Sequence, residues 1–350
     1  MRPEEEHLNT APPKKKAGAA KKPNPSRKKK RRSRQSSGRF FDKRPSGHVI
    51  FLIVFTAVLL FTILRLFIWN IGKHTGYDPS ETTTEFDVEL MDYLQPLEPE
   101  MREAWEDDGI TTILALGNDP LSDDRSGSGL AALMAKATDS TIYNGAFPGS
   151  SIAMKNTEYQ NDYPLDGVSL YWVAAALVNQ NFDLMNAIVP GMGSEAATAA
   201  LETLKSVDLS KVDDLVIFYD LQDYKGGRIV YDENNRKNLN TVYGALTAAA
   251  ELFQEHFPHI RIYVVSQPYG TFTTPDGKTA DADKDDFGNG TLVDYLNWEV
   301  DACRSSGISF IDTYYGAITV EDSDCLENGY HLNEKGRKKV AERFASVFKE

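Results

Sequence analysis

Asp214-Leu215-Val216-Ile217-Phe218-Tyr219 opens on one acid and then runs on without a charge. A strand of an antiparallel sheet with one wet face alternates apolar and polar residues; a continuous apolar run belongs to a strand covered on both faces. Similar short runs stand at Thr111–Leu116, Thr141–Ala146, Ile260–Val265 and Ile308–Ile311. Between them lie stretches with helical spacing: Gly129–Ala137, Ser169–Asn179, Glu195–Leu204, the Ala-rich Leu239–Phe253, Leu292–Arg304 and the amphipathic Glu334–Phe348. Strands alternating with helices predict an α/β fold of about five mostly parallel strands with helices on both faces. In such sheets ligands meet the carboxyl ends of the strands, so chemistry is sought in the loops that follow them.

Four of those loops are unusual. The first is Gly117-Asn118-Asp119-Pro120-Leu121-Ser122-Asp123-Asp124-Arg125, the second Asn144-Gly145-Ala146-Phe147-Pro148-Gly149 and the third Asp220-Leu221-Gln222-Asp223. The last, before the closing helix, is Glu327-Asn328-Gly329-Tyr330-His331-Leu332-Asn333-Glu334-Lys335-Gly336. Past residue 110 the histidines are His256, His259 and His331. His256 and His259 flank Pro258 just before a strand and read as solvated surface residues; His331 sits in a strand-end loop, where an imidazole can act as a base. Asp281-Ala282-Asp283-Lys284-Asp285-Asp286 lacks the Gly and Glu that a calcium loop needs at its sixth and twelfth positions, so it reads as a solvated loop. Asn289-Gly290-Thr291 fits a glycosylation acceptor, a tripeptide common by chance. Neither a metal nor a cofactor is expected.

The order and spacing of these loops resemble the SGNH/GDSL hydrolases, a family of esterases and acyl-group hydrolases on a flavodoxin-like, three-layer sheet. The resemblance covers residues 111–350. It is strongest at Tyr330-His331-Leu332-Asn333-Glu334-Lys335-Gly336, with Asn144, Gly149 and Asp223 in support. It implies that His331 is the general base, and that the backbone N–H of Gly149 and the amide of Gln222 donate to an oxyanion, beside Asn118 and Asp223. Three positions depart from the pattern. Asp119 stands where the family has its nucleophilic Ser, Gln222 where it has Asn, and Asn328 where it has the carboxylate that orients the His.

Those departures bear on the chemistry. A Ser hydroxyl becomes a nucleophile when an imidazole takes its proton, and the imidazole needs a carboxylate to fix its tautomer. In serine proteases, replacing that Asp by Asn lowers turnover about 10⁴-fold. Glu327 or Asp324 are candidate substitutes. The first loop supports three readings: Ser122 is a displaced nucleophile, Asp119 attacks directly, or the site no longer hydrolyses and its acids serve binding or loop structure. Ser and Asp at such a turn are also ordinary helix caps.

Residues 1–47 hold 16 Lys and Arg against four acids, leaving 22 of the chain's 38 bases and 47 of its 51 acids for the rest. This tail has almost no apolar residues and is expected to be disordered. Val49–Trp69 then carries a single charge, Arg65. A membrane-spanning helix needs roughly 20 apolar residues, and an Arg near its end can reach the headgroups. Residues 48–71 are therefore expected to be an uncleaved anchor, since Trp69-Asn70-Ile71-Gly72 is a poor cleavage site. The basic flank places the N-terminus in the cytoplasm and the C-terminal domain outside the cell membrane. The tail is expected to meet anionic lipid headgroups; without interleaved aromatics to stack on bases, nucleic acid is not an expected partner. Residues 72–110 read as an acidic stalk with a helix at Pro99–Trp105. Cys303 and Cys325 could pair in an oxidising compartment. Together the expectation is a membrane-anchored, extracytoplasmic esterase or deacylase acting on acylated surface glycan or lipid. The alternative is a catalytically inactive binding or scaffolding module of the cell envelope.

Overall fold

The computed structural model describes residues 47–74, 90–103 and 105–348; within its first helix, side chains are described at His48 and over Phe51–Arg65. The basic tail, and the stalk over 75–89, lie outside the described residues. The chain divides into two units, Met1–Glu85 and Phe86–Glu350. In the first, helix α1 (Gly47–His74) exposes apolar side chains at successive positions from Phe51 to Leu64. The hydroxyls of Thr56 and Thr62 turn back on the carbonyls of Leu52 and Val58, which satisfies them inside the helix. Among the described residues no helix is long and apolar enough to cross a membrane; the described side chains stop at Arg65, whereas the apolar sequence runs to Trp69.

The second unit begins with a short helix α2 (Pro99–Arg102), less than the one expected, and continues with β1 (Thr112–Gly117), α3 (Asp119–Ser122), α4 (Leu130–Thr138) and β2 (Thr141–Asn144). Then come α5 (Leu170–Asn179), α6 (Asp183–Met192), α7 (Glu195–Ser206), β3 (Asp214–Phe218), α8 (Gln222–Lys225), α9 (Val242–His256) and β4 (Arg261–Val265). A hairpin of β5 (Thr271–Thr273) and β6 (Thr279–Asp281), α10 (Leu292–Ser306), β7 (Ser309–Ile311), a small β8 (Leu326–Glu327) and β9 (His331–Leu332) pair, and α11 (Glu334–Phe348) complete it. The main sheet has the order β2-β1-β3-β4-β7 with every pairing parallel. β1 and β3 are buried along their whole length, as their unbroken apolar runs require. Leu114, Leu116, Leu215 and Ile217 face the core under α5, α7, α9 and α10; Ile113, Ala115, Val216 and Phe218 face the core under α4 and α11. The result is the expected three-layer α/β architecture of five parallel strands.

Two expectations are corrected and one open question is closed. Part of the segment read as stalk belongs to the domain: Tyr93 pairs antiparallel with Phe310 through two backbone hydrogen bonds, which covers the free edge of β7. Asp92 ion-pairs with Arg343 and accepts the Asp312 amide, and Gln95 bonds Ser309. His259 is buried, not solvated; its ring stacks on Trp105 at 5.3 Å and bonds the Leu209 carbonyl. Cys303 and Cys325 are both free and buried in the cores on opposite faces of the sheet, so the layer of strands separates them.

Candidate functional site

The loops after β1, β2 and β3 and the turn before α11 meet at the carboxyl edge of the sheet. β1 ends on Gly117, where a Cβ would run into the Phe218 carbonyl of the next strand. Beyond it Asn118 is fully buried and binds two loops together. Its Nδ2 donates to the Ser150 carbonyl (2.8 Å) and to Asp220 Oδ1 (2.7 Å), and its Oδ1 accepts the Asp220 amide (2.8 Å). Asn118 is thus a scaffold residue of the site.

Asp119 opens α3 and is 6% exposed. Its Oδ1 accepts the Gly149 N–H at 2.6 Å and its Oδ2 the Gln222 side-chain amide at 3.0 Å. Gly149 can present its N–H this way because it sits at φ +68, a region that glycine enters without a steric penalty. Gly149 and Gln222 are the two groups expected to stabilise an oxyanion. They do converge on one point, and a carboxylate of the chain itself lies between them.

Asp223 has a different job. It is fully buried, and its two oxygens accept the Ile152 and Ala153 amides at 2.8 and 2.9 Å, fastening the loop after β2 to α8. It forms no part of the reactive edge. Asn144 likewise braces the loop, donating to the Leu121 carbonyl and accepting the Ala146 amide. Asp220 is 1% exposed; one oxygen accepts from Asn118 and the Gln222 amide, and the other has no partner among the described residues. Burial first, and the Asp119 charge second, push the Asp220 carboxyl well above the usual carboxylate range.

His331 lies on β9 with its side chain about a quarter exposed. Its Nδ1 is 2.7 Å from Asp123 Oδ2, a residue of the first loop. That hydrogen bond raises the imidazole above the usual histidine range; partial burial opposes it, and the charges of Asp123, Asp119 and Asp220 add to it. The orienting carboxylate therefore exists, and neither Asn328 nor the two candidate substitutes supplies it. Asn328 sits at φ +51 in the β8–β9 turn, and Asp324 is paired with Lys335. Tyr330 packs against the imidazole, with ring centroids 4.1 Å apart, and Lys225 Nζ lies 3.8 Å from the Tyr330 ring. Ser122 is 4% exposed, and its Oγ bonds to no described residue, so it is not held by His331 for attack.

No family model and no curated protein matches this sequence. Solved structures do match. One crystal structure aligns with a TM-score of 0.51 at 14% identity over 70% of this chain and 98% of its own. A possible lipase from Chitinophaga pinensis DSM 2588 aligns with a TM-score of 0.42 at 14% identity, over 68% of this chain and 97% of that one. A protein from Desulfitobacterium hafniense DCB-2 described as lipolytic and of the G-D-S-L family gives 0.40 at 12%, over 68% and 99%. What the likeness shows is the fold alone, a parallel α/β sheet between layers of helices. At the carboxyl edge the domain carries Asp119 between the Gly149 and Gln222 donors, and a His331–Asp123 pair whose Asp comes from the first loop. The fold brings His331, Gly149, Gln222 and Asp119, all named from the sequence, to one edge; Asp123 as the partner of His331 was missed, and the adjacent acids Asp123-Asp124 were the available signal.

Proposed function

We propose that this chain is a membrane-anchored, extracytoplasmic SGNH-fold protein whose site binds an acylated surface glycan or lipid and does not run a serine acyl-enzyme cycle. The Asp119 carboxylate between Gly149 and Gln222 carries this reading. An ester carbonyl gains from an oxyanion cradle only when the donors are free to meet the charge that develops on its oxygen. Here both donors are already matched by a full negative charge at hydrogen-bond distance. An incoming carbonyl would have to displace a charge-assisted pair with a neutral dipole, an exchange that favours the resident carboxylate.

A second reading rests on the His331–Asp123 pair. An imidazole oriented by a carboxylate is the arrangement of a general base, and it could activate water without a covalent intermediate. The anchor is supported by the apolar run Val49–Trp69 and by an α1 whose apolar side chains are exposed at successive positions, which a helix bathed in water does not sustain. The basic block before it supports an outside domain.

Purified full-length protein in detergent, assayed with p-nitrophenyl acetate, is expected to show no turnover above buffer, while co-sedimenting with O-acetylated surface glycan. Wild-type turnover that His331→Ala abolishes would establish the water-activating reading instead. Protease added to intact cells is expected to digest the domain; protection would overturn its placement outside.

A further inference from the structure

The opposite edge of the sheet, at the amino ends of the strands, holds a second place where charge is left unmatched. A cavity of about 480 Å³ opens there between the Pro96–Arg102 segment and the starts of β3 and β4. Arg102, Asp107, Asp213, Asp214, Arg261 and Tyr263 line it. Asp213 is committed, since its Oδ2 accepts the Thr112 amide at 2.7 Å. Arg261 is also partly committed: its Nε donates to the Gln95 carbonyl at 3.2 Å, and its guanidinium lies 4.6 Å from the Tyr263 ring.

Asp214 is different. Its residue is only 7% exposed, and its carboxyl group makes no hydrogen bond or ion pair with any described residue, although it opens into the cavity. The guanidinium of Arg102 is the counterpart. It lies 5.3 Å from the Trp105 ring, its one hydrogen bond to a described residue is to the Asp213 carbonyl at 3.4 Å, and its Nε has no partner among the described residues. A buried carboxyl and a guanidinium share one cavity without pairing. Buried charged groups are ordinarily paired, because desolvation without a partner costs several kcal/mol. Burial accordingly raises Asp214 to about 7; the Asp213 charge adds to this, and Arg102 and Arg261 oppose it.

We propose that this cavity binds a small zwitterion of the α-amino-acid type, its ammonium against Asp214 and its carboxylate against the Arg102 guanidinium. The two ends of such a ligand supply the two partners that the chain itself omits. Among the described residues no group of three or more His, Cys, Asp or Glu could hold a metal ion, so a divalent cation is the poorer match. The inference stands apart from the carboxyl-edge site and does not depend on the reading given to it.

The test is titration calorimetry of the full-length protein in detergent with three probes: glycine, ethylammonium and acetate. Glycine is expected to bind more tightly than either half. Asp214→Asn should weaken glycine about tenfold or more by removing a charge-assisted contact. Arg102→Gln should weaken glycine and leave ethylammonium unchanged, with circular dichroism confirming that each variant is folded. No heat from glycine up to about 10 mM, a range that covers even a weak specific site, would overturn the proposal. So would an unchanged glycine affinity in Asp214→Asn, or equal loss of ethylammonium binding in Arg102→Gln.

Discussion

The carboxyl edge of the sheet has an inner half and a rim, and the two are built on different terms. Inside, Asn118, Asp119, Ser150, Asp220 and Asp223 are each less than a tenth exposed, and they tie three loops to one another through side chain to backbone bonds. On the rim, Asp123 and His331 keep about a third and a quarter of their side-chain surface in solvent and are held by a single bond between them. Backbone amides have to be satisfied when loops are buried, and carboxylates can do that twice over. The comparison teaches that acids in this edge are not interchangeable: those within fix loops, and the one on the rim positions an imidazole.

The sharpest way to break the comparison is Asp223→Ala. It strands the Ile152 and Ala153 amides in a dry interior and is expected to cost about 3 kcal/mol in chemical denaturation. A loss below about 1 kcal/mol, the net worth of a single ordinary hydrogen bond, would deny that Asp223 fastens the loop.

The next test is pH. Asp220 and Glu299 are pushed up to about 8 and Asp214 to about 7, each first by burial. A carboxyl whose folded pKa lies above its unfolded value binds its proton more tightly when folded. Its contribution is therefore present below the unfolded pKa of about 4 and declines as pH rises through the folded value. The raised His331 works in the same sense: its stabilisation is complete below the ordinary histidine pKa and is lost as pH climbs through the raised one. The domain should thus melt at a lower temperature at pH 8 than at pH 6. A flat melting profile would mean that the inner acids are solvated in a way their burial denies.

The smallest effect on stability belongs to the rim. Asp123→Asn should lower the His331 pKa toward the ordinary value, measured by NMR titration of the ring protons, while changing stability by less than about 1 kcal/mol because both groups are partly screened by water. An unmoved His331 pKa would show that Asp123 does not position it.

Much of the architecture was legible in the sequence. β1 and β3 announce themselves because a strand buried on both faces has no polar alternation to confuse it. α6 was missed, since Pro190-Gly191 reads as a break, and the helix does end two residues after Pro190, with Gly193 as its left-handed cap. The short hairpins were missed because two- and three-residue strands have no period to detect. Of the site, His331 and Gly149 could be found from local motifs. The bond between His331 and Asp123 spans 208 positions, and the Asp119 cradle draws its donors from two other loops, so only the folded chain brings them together. The free cysteines follow from the same fact: nothing in their spacing tells that a sheet lies between them.

The antiparallel seam between Tyr93 and Phe310 has a mechanical meaning. Any tension arriving along the chain from the N-terminal side reaches the domain first at this seam. The two Tyr93–Phe310 backbone bonds and the Gln95–Ser309 contact lie side by side along β7, and the Asp92–Arg343 ion pair ties the same segment to α11. Pulled along the strand direction, they are loaded together in shear instead of opening one after another like a zip. The load then passes through β7 and α11 into the body of the domain.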